Sequence, residues 1–453
     1  MNRLQTYFGT ADFLRRALTI ALPVMGQELL VSSFSLVDTL MIGQLGPNAL
    51  AAVGYGAAWN NLINVLIFGL TSGAAIFFAQ YWGAEDRKGI HQAYGLALTA
   101  ATVISTLAML LTCLQPGLVL SLFTNDVLAA EQAAPYLRYV GLTYPAMALS
   151  MVVGTLLRST EQAHIPLIGS LAGVATNIFL NYSLIFGHFG FPRLGIAGAA
   201  IGSAISGWVN LGLMLLISAF VHNLALAPVR ELFSFSKEFA FRYFRLSAPV
   251  LANEALWGFG TTVLNMVYGH IGTDEFAALT AFRTLDSFAV TAFMALSHAT
   301  AAMVGKRVGA GEPDKAYEEG RAFLCWTPVL GGLLGLVLIL LRHPLAAVYA
   351  QPPHVDALIV GLITVVSSTY LVRYFPFILI MGIFRAGGDA KTGAILDFIG
   401  VWLVSLALAL VAGLWLKLPF LWVYGAITLL DALIKTIPGM RYFISRNWIR
   451  PVV

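Results

Sequence analysis

Charge is what this sequence has least of. Of its 453 residues only 11% are charged, against the roughly 25% of a soluble domain, while 58% are hydrophobic. Together with a mean hydropathy of +0.81, this deficit excludes an ordinary water-soluble fold and places the chain in a bilayer. Cysteine is nearly absent: Cys113 and Cys325 both lie inside apolar stretches, so no disulfide framework is implied. There is no GxxxxGK phosphate loop, no HExxH zinc pair and no GxSxG elbow, which leaves no visible catalytic constellation and no means of hydrolysing a nucleotide. The first dozen residues contain no A-x-A pattern ahead of the first long span, so no cleaved leader is expected. The net charge of +4 comes from basic residues scattered between apolar runs, a pattern that fits loops beside an anionic leaflet and not nucleic acid.

What is present is a series of twelve apolar runs, near residues 14–42, 51–82, 92–114, 134–158, 166–187, 195–220, 245–271, 276–305, 320–341, 357–385, 393–416 and 419–443. Segments this apolar must be helices, because backbone facing lipid has to satisfy its own hydrogen bonds. The first run carries a motif that returns 226 residues later: Pro23-Val-Met-Gly-Gln-Glu28 becomes Pro249-Val-Leu-Ala-Asn-Glu254. Gly43 and Gly46 pair with Gly269 and Gly272 at the same offset, and Arg158 pairs with Arg385 one residue further on. Six spans separate the copies, an even number, so both halves enter the membrane from the same side. The expected architecture is an all-α integral membrane protein of twelve transmembrane helices in two pseudo-symmetric six-helix bundles, a parallel repeat. The first lobe is read as residues 1–221, a polar linker as 222–244 and the second lobe as 245–453.

Orientation follows from Lys and Arg. With the N-terminus inside, twenty of the 26 basic residues fall on the inner side; only Arg138, Arg193, Arg342 and Lys417 fall outside, and Arg283 and Arg373 lie within spans. A multi-pass protein of the inner (plasma) membrane with both termini cytoplasmic is expected.

Charges inside spans are costly, roughly 2.5–3.5 kcal/mol or more each, and therefore informative. Span 1 holds Glu28 and Asp38; the second copy has Leu264 where the first has Asp38. Span 5 offers Asn177 and Asn181, four apart and on one face, and span 6 adds Ser203. A carboxylate with two amide oxygens and a hydroxyl suits a hard cation such as Na⁺, a lone carboxylate in an apolar cavity suits a proton, and asparagines also serve as interhelical glue. Glu28 lies about 15 Å along the helix from Asp38 and cannot share its site. Glu28 and its twin Glu254 either bond backbone freed by Pro23 and Pro249 or face a substrate. On span 8, Arg283 and Asp286 are three apart, the spacing of an internal ion pair; alternatively Asp286 and Glu254 line a cation-attracting cavity. Asp397 is expected at the interface, and Asp431 is expected to pair with Lys435. Trp59, Tyr144, Trp257, Phe259, Met266, Tyr370 and Tyr374 can form a pliable pocket for flat organic cations, although the same spacing serves packing. Gly198 and Gly202 read as a GxxxG contact.

These stretches resemble the multidrug and toxic compound extrusion (MATE) family over nearly the whole length. The resemblance rests on Pro23…Val37-Asp38-Thr39…Gly43…Gly46, on Asn177-x-x-x-Asn181 followed by LIFGHFGFPRLGIAGAA, and on the twin loops GTLLRSTEQAHIP and GIFRAGGDAKTG. It implies a secondary antiporter that exports small, cationic organic compounds in exchange for Na⁺ or H⁺, without a resident cofactor, acting as a monomer. Asp38, Asn177 and Asn181 look like the family's ion site, with Ser203 near a position where relatives often have Thr. The substrate cavity would draw on Glu28, Glu254, Asp286, Trp257, Tyr144 and Tyr374. The sequence departs from members that couple through the second lobe: span 10 has Arg373 and Tyr374 where those carry an acid. A lipid-linked saccharide flippase of the same superfamily is the alternative function.

Overall fold

The computed structural model describes residues 7–45, 47–123 and 127–452, the side chains at 34–36, 47–51 and 127–132 excepted. Arg3 and Gly46, used above for orientation and repeat, lie outside the described residues. Among those described the chain is helical throughout, without a strand. In chain order the long helices are α1 (Ala11–Gly43), α2 (Pro47–Gly83), α3 (Arg87–Leu114), α4 (Ala133–Ser159, broken by a turn at Gly141), α5 (His164–Phe186) and α6 (Ile196–Val221). They continue with α7 (Lys237–Ile271), α8 (Thr273–Gly309), α9 (Pro313–Leu340), α10 (Pro353–Ser368 and Tyr370–Phe384), α11 (Ala390–Trp415) and α12 (Phe420–Ser445).

Among the described residues, ten of these are long and apolar enough to cross a membrane, and the two pieces of α10, bent by 51°, make an eleventh span together. The twelfth expected span is α7. Its 35 residues reach about 50 Å at 1.5 Å per residue, ample for a crossing, but its composition sets it apart from the others, with Asn253 and Glu254 near its middle. Helix ends are set by ordinary local chemistry. The Asp86 carboxylate accepts the Gly89 amide at 2.9 Å to start α3, Asp389 accepts the Thr392 amide at 3.4 Å to start α11, and Gly187 ends α5 in the left-handed region. Helices α1 and α7 run unbroken through Pro23 and Pro249.

By packing the chain divides into two compact units: Met1–Ala21 with Ala79–Glu85 and Ala248–Val453, and Leu22–Phe78 with Asp86–Ser247. The ends of α1 and α2 thus belong with the second half of the sequence. Inside that unit the end of α2 and the end of α8 cross, and the contact is reciprocal. A methyl group on Gly83 would stand 1.8 Å from the Lys306 carbonyl oxygen, and one on Gly309 would stand 1.8 Å from the Gln80 carbonyl oxygen. Gly83 and Gly309, like Gln80 and Lys306, are related by the 226-residue repeat. The C-terminal segment closes over the same place: the Val452 amide donates to Gln80 Oε1 at 2.7 Å, Gln80 Nε2 donates to the Ala386 carbonyl at 2.7 Å, and Trp448 is fully buried. Gly83→Ala is therefore expected to lower stability by about 1–3 kcal/mol through overpacking, read as a fall in the melting temperature of purified protein; an unchanged melting temperature would show that the crossing is loose.

Candidate ion-coupling site

The site in the first half is built on the seam between α5 and α6. Gly198 and Gly202 carry no side chain where α5 passes: a methyl on Gly198 would lie 2.7 Å from the Leu184 carbonyl oxygen, and one on Gly202 would lie 2.3 Å from Asn181 Oδ1. That clearance lets Asn177 and Asn181, both 1% exposed, lie between the two helices. Asn181 Nδ2 donates to Asp38 Oδ1 at 2.5 Å. Asn177 Nδ2 donates to Ser203 Oγ at 3.2 Å and to Ser206 Oγ at 3.3 Å, and Ser206 Oγ donates to the Ser203 carbonyl at 2.9 Å. The structure thus brings Asp38, Asn177, Asn181 and Ser203 into one cluster.

Both asparagine amides direct their donors into the cluster and leave Oδ1 buried with no hydrogen-bond partner. An orphaned acceptor of this kind costs about 1–3 kcal/mol. Asp38 is half-buried and, among the described residues, makes no ion pair with Lys or Arg. One carboxylate and two acceptors without donors form an oxygen-rich, cation-poor site. A small hard cation beside Asp38, or a proton on it, would neutralise that charge. Sequence reasoning missed Ser206 and Tyr136. Ser206 is one turn past Ser203 and was legible from that spacing. Tyr136, on α4 and within electrostatic reach of Asp38, carries no local signal.

The second half uses its intramembrane charges differently. Asp286 of α8 accepts a bidentate pair from Arg373 of α10, both bonds at 2.8 Å, together with the Tyr374 hydroxyl at 3.2 Å and a short bond from the Tyr370 hydroxyl. This corrects the expected Arg283–Asp286 pair: Arg283 instead donates to Asn265 Oδ1 at 2.5 Å and lies over the Tyr268 ring. A planar guanidinium reaching across helices matches both carboxylate oxygens, which a neighbour one turn away on the same helix does not. Asp397 is likewise not a lone interfacial acid. It takes Asn253 Nδ2 at 3.0 Å and Lys435 Nζ at 3.2 Å, while the expected Asp431–Lys435 pair is present at 3.0 Å.

The twin glutamates part company. Glu254 is buried and paired with Arg385 at 2.7 Å. Glu28 is exposed, and Arg158, the twin of Arg385, donates to Gln27 Oε1 at 3.3 Å and to Thr155 Oγ1 at 3.2 Å. Of the expected cavity residues, Glu28 and Trp257 present exposed side chains. Glu254, Asp286, Tyr144 and Tyr374 are buried, the two acids being neutralised by arginine.

A family model, MatE, matches residues 23–183 and 249–411, one block in each half of the repeat. The probable multidrug resistance protein NorM of Thermotoga maritima is 23% identical over 445 residues, covering 96% of this chain and 93% of its own. The protein of the same name from Burkholderia pseudomallei is 32% identical over 361 residues, 75% of this chain and 72% of its own. Among solved structures, the Vibrio cholerae MATE transporter VcmN in its bent form superposes with a TM-score of 0.87 at 18% identity, over 97% of this chain and 99% of that one. A MOP superfamily transporter from Pyrococcus furiosus does so with a TM-score of 0.83 at 17% identity, over 98% and 99%. The fold is therefore that of the two-repeat MATE transporters, and the chain belongs to the MatE family, as a multi-pass membrane transporter of the multidrug and toxic compound extrusion type.

Proposed function

We propose that this transporter is a secondary antiporter that exports organic cations in exchange for Na⁺ or H⁺, and that the exchanged ion binds at Asp38, Asn177, Asn181 and Ser203. The observation that carries this reading is the pair of buried amide oxygens without donors beside an acid that has no basic partner. Tyr136 lies within electrostatic reach of that acid, and Ser206 holds Asn177. The ion enters from outside, neutralises Asp38, and shifts the balance between outward-open and inward-open states of two lobes, residues 1–221 and 245–453, joined by the linker 222–244. Differential affinity for the ion in the two states is what drives the shift, since a ligand that binds both equally moves nothing. The substrate is a small organic cation, and the chain works as a monomer in the inner membrane with both termini in the cytoplasm. The second half, whose intramembrane acids already hold arginine or lysine, contributes no ion site of its own.

Efflux of a fluorescent organic cation from vesicles under imposed gradients tests this. Efflux driven by an inward Na⁺ or H⁺ gradient is expected, one of the two dominating. Equal efflux with neither gradient would contradict antiport.

A further inference from the structure

Three exposed cations follow α6: Arg230 in the connection to α7, and Lys237 and Arg245 on the first turns of α7 itself. Other cations, in the loops of the second half, are matched by acids. Arg307 pairs with Glu312 at 2.6 Å and Glu319 at 3.1 Å, Lys315 with Glu312 at 2.6 Å, and Arg446 with Asp314 at 2.6 Å. Bonds from Lys315 and Arg307 hold the Glu312 carboxyl below its usual range. Arg230, Lys237 and Arg245 are exposed and, among the described residues, have no carboxylate within pairing distance.

The segment that carries them has an inner and an outer side. On the inner side, His91 Nδ1 and Glu231 Oε2 meet at 2.5 Å, Gln92 Nε2 donates to the Ser234 carbonyl at 3.1 Å, and the Leu232 carbonyl rests against Gly95. Further along, the Tyr243 and Phe239 rings pack on Phe77 of α2 at 4.9 and 6.4 Å. With that side anchored, the opposite side carries the cations and large apolar groups together. Phe233, Phe241 and Phe244 are 59%, 70% and 45% exposed, and Lys237, Phe241, Phe244 and Arg245 share one helical face. Of the carboxylates in the stretch, Glu238 is exposed and Glu231 is held by His91.

We propose that this outer face binds anionic phospholipid headgroups. Arg230, Lys237 and Arg245 hold the phosphates, while the three phenylalanines enter the acyl boundary beside them, the arrangement of an interfacial amphipathic segment. The leaflet concerned is the cytoplasmic one, given the orientation proposed above. A matched loop such as that of Lys315 offers no such site, because its charges are already satisfied internally.

Purified transporter in nanodiscs of equal phosphatidylglycerol and phosphatidylcholine tests this, with bound lipid counted by native mass spectrometry. Enrichment of phosphatidylglycerol is expected. Each of Arg230→Gln, Lys237→Gln and Arg245→Gln should lower it by about fivefold, the equivalent of about 1 kcal/mol per cation. The triple variant should show no preference, and Lys237→Arg should keep the parent value. Both leaflets of a nanodisc carry the anionic lipid, so the result does not depend on orientation or ion coupling. Parent-level enrichment in the triple variant, or an equal fall in Lys315→Gln, would overturn the proposal.

Discussion

Asp38→Asn is expected to reduce ion-driven efflux by about 100-fold while the protein still reaches the membrane in normal amount, since coupling free energies of roughly 1–3 kcal/mol correspond to factors of up to about 150. The substitution preserves the shape of the side chain and retains an acceptor for Asn181 Nδ2, so the α1–α5 contact at 2.5 Å can persist without the charge. What it removes is the one anionic ligand in a site whose other oxygens are neutral. A hard cation then loses its strongest partner, and a proton loses the group that carries it. Efflux measured in vesicles, with membrane protein quantified in parallel, separates loss of coupling from loss of folding. Undiminished efflux in the variant would place coupling elsewhere.

The second large effect lies in the other half and concerns stability. Arg373→Ala is expected to cost about 3–5 kcal/mol, because it leaves the Asp286 carboxylate buried without its guanidinium. The double substitution Asp286→Leu with Arg373→Met should recover most of that loss, since two apolar groups of similar volume need no pairing. The residual deficit belongs to the Tyr370 and Tyr374 hydroxyls, which lose their acceptor. Melting temperatures of the two variants and the parent decide the matter. A single substitution as stable as the parent, or a double one no better than the single, would show that the pair does not carry the contact between α8 and α10. The same comparison bears on function: a double variant that still exports would agree with a second half that lends structure and not an ion site.

The spans, the repeat and the outlier acid were legible in the sequence because each is a local property. Apolar runs of bilayer length mark themselves, and the paired motifs at Pro23 and Pro249 need only an offset. Asp38 stood out because a carboxylate in such a run lacks water, and Asn177 with Asn181 because four residues is one turn. Partner choice was legible only in part. Asp431 and Lys435 do pair along their helix. The same reasoning failed for Asp286, whose partner comes from 87 residues away and reaches across to it with two parallel bonds. Asp397 looked interfacial from its distance to a loop, but Asn253 and Lys435, brought in by α7 and α12, meet it instead. Glu28 and Glu254 are equivalent in the repeat and were indistinguishable on paper. Only the folded chain shows that Arg385 takes Glu254 while Arg158 bonds Gln27 and Thr155. The departure from symmetry thus arises in tertiary contacts that sequence periodicity does not encode.

Counter-flux of the ion is the most direct measurement of where coupling resides. With substrate loaded inside vesicles and Na⁺ or H⁺ supplied outside, the parent protein should show ion uptake that begins with substrate export and scales with it. Asp38→Asn should show neither, whereas Glu254→Gln should retain the ratio of ion to substrate even if its stability falls. Ion uptake at the parent ratio in Asp38→Asn would contradict the assignment of coupling to this acid.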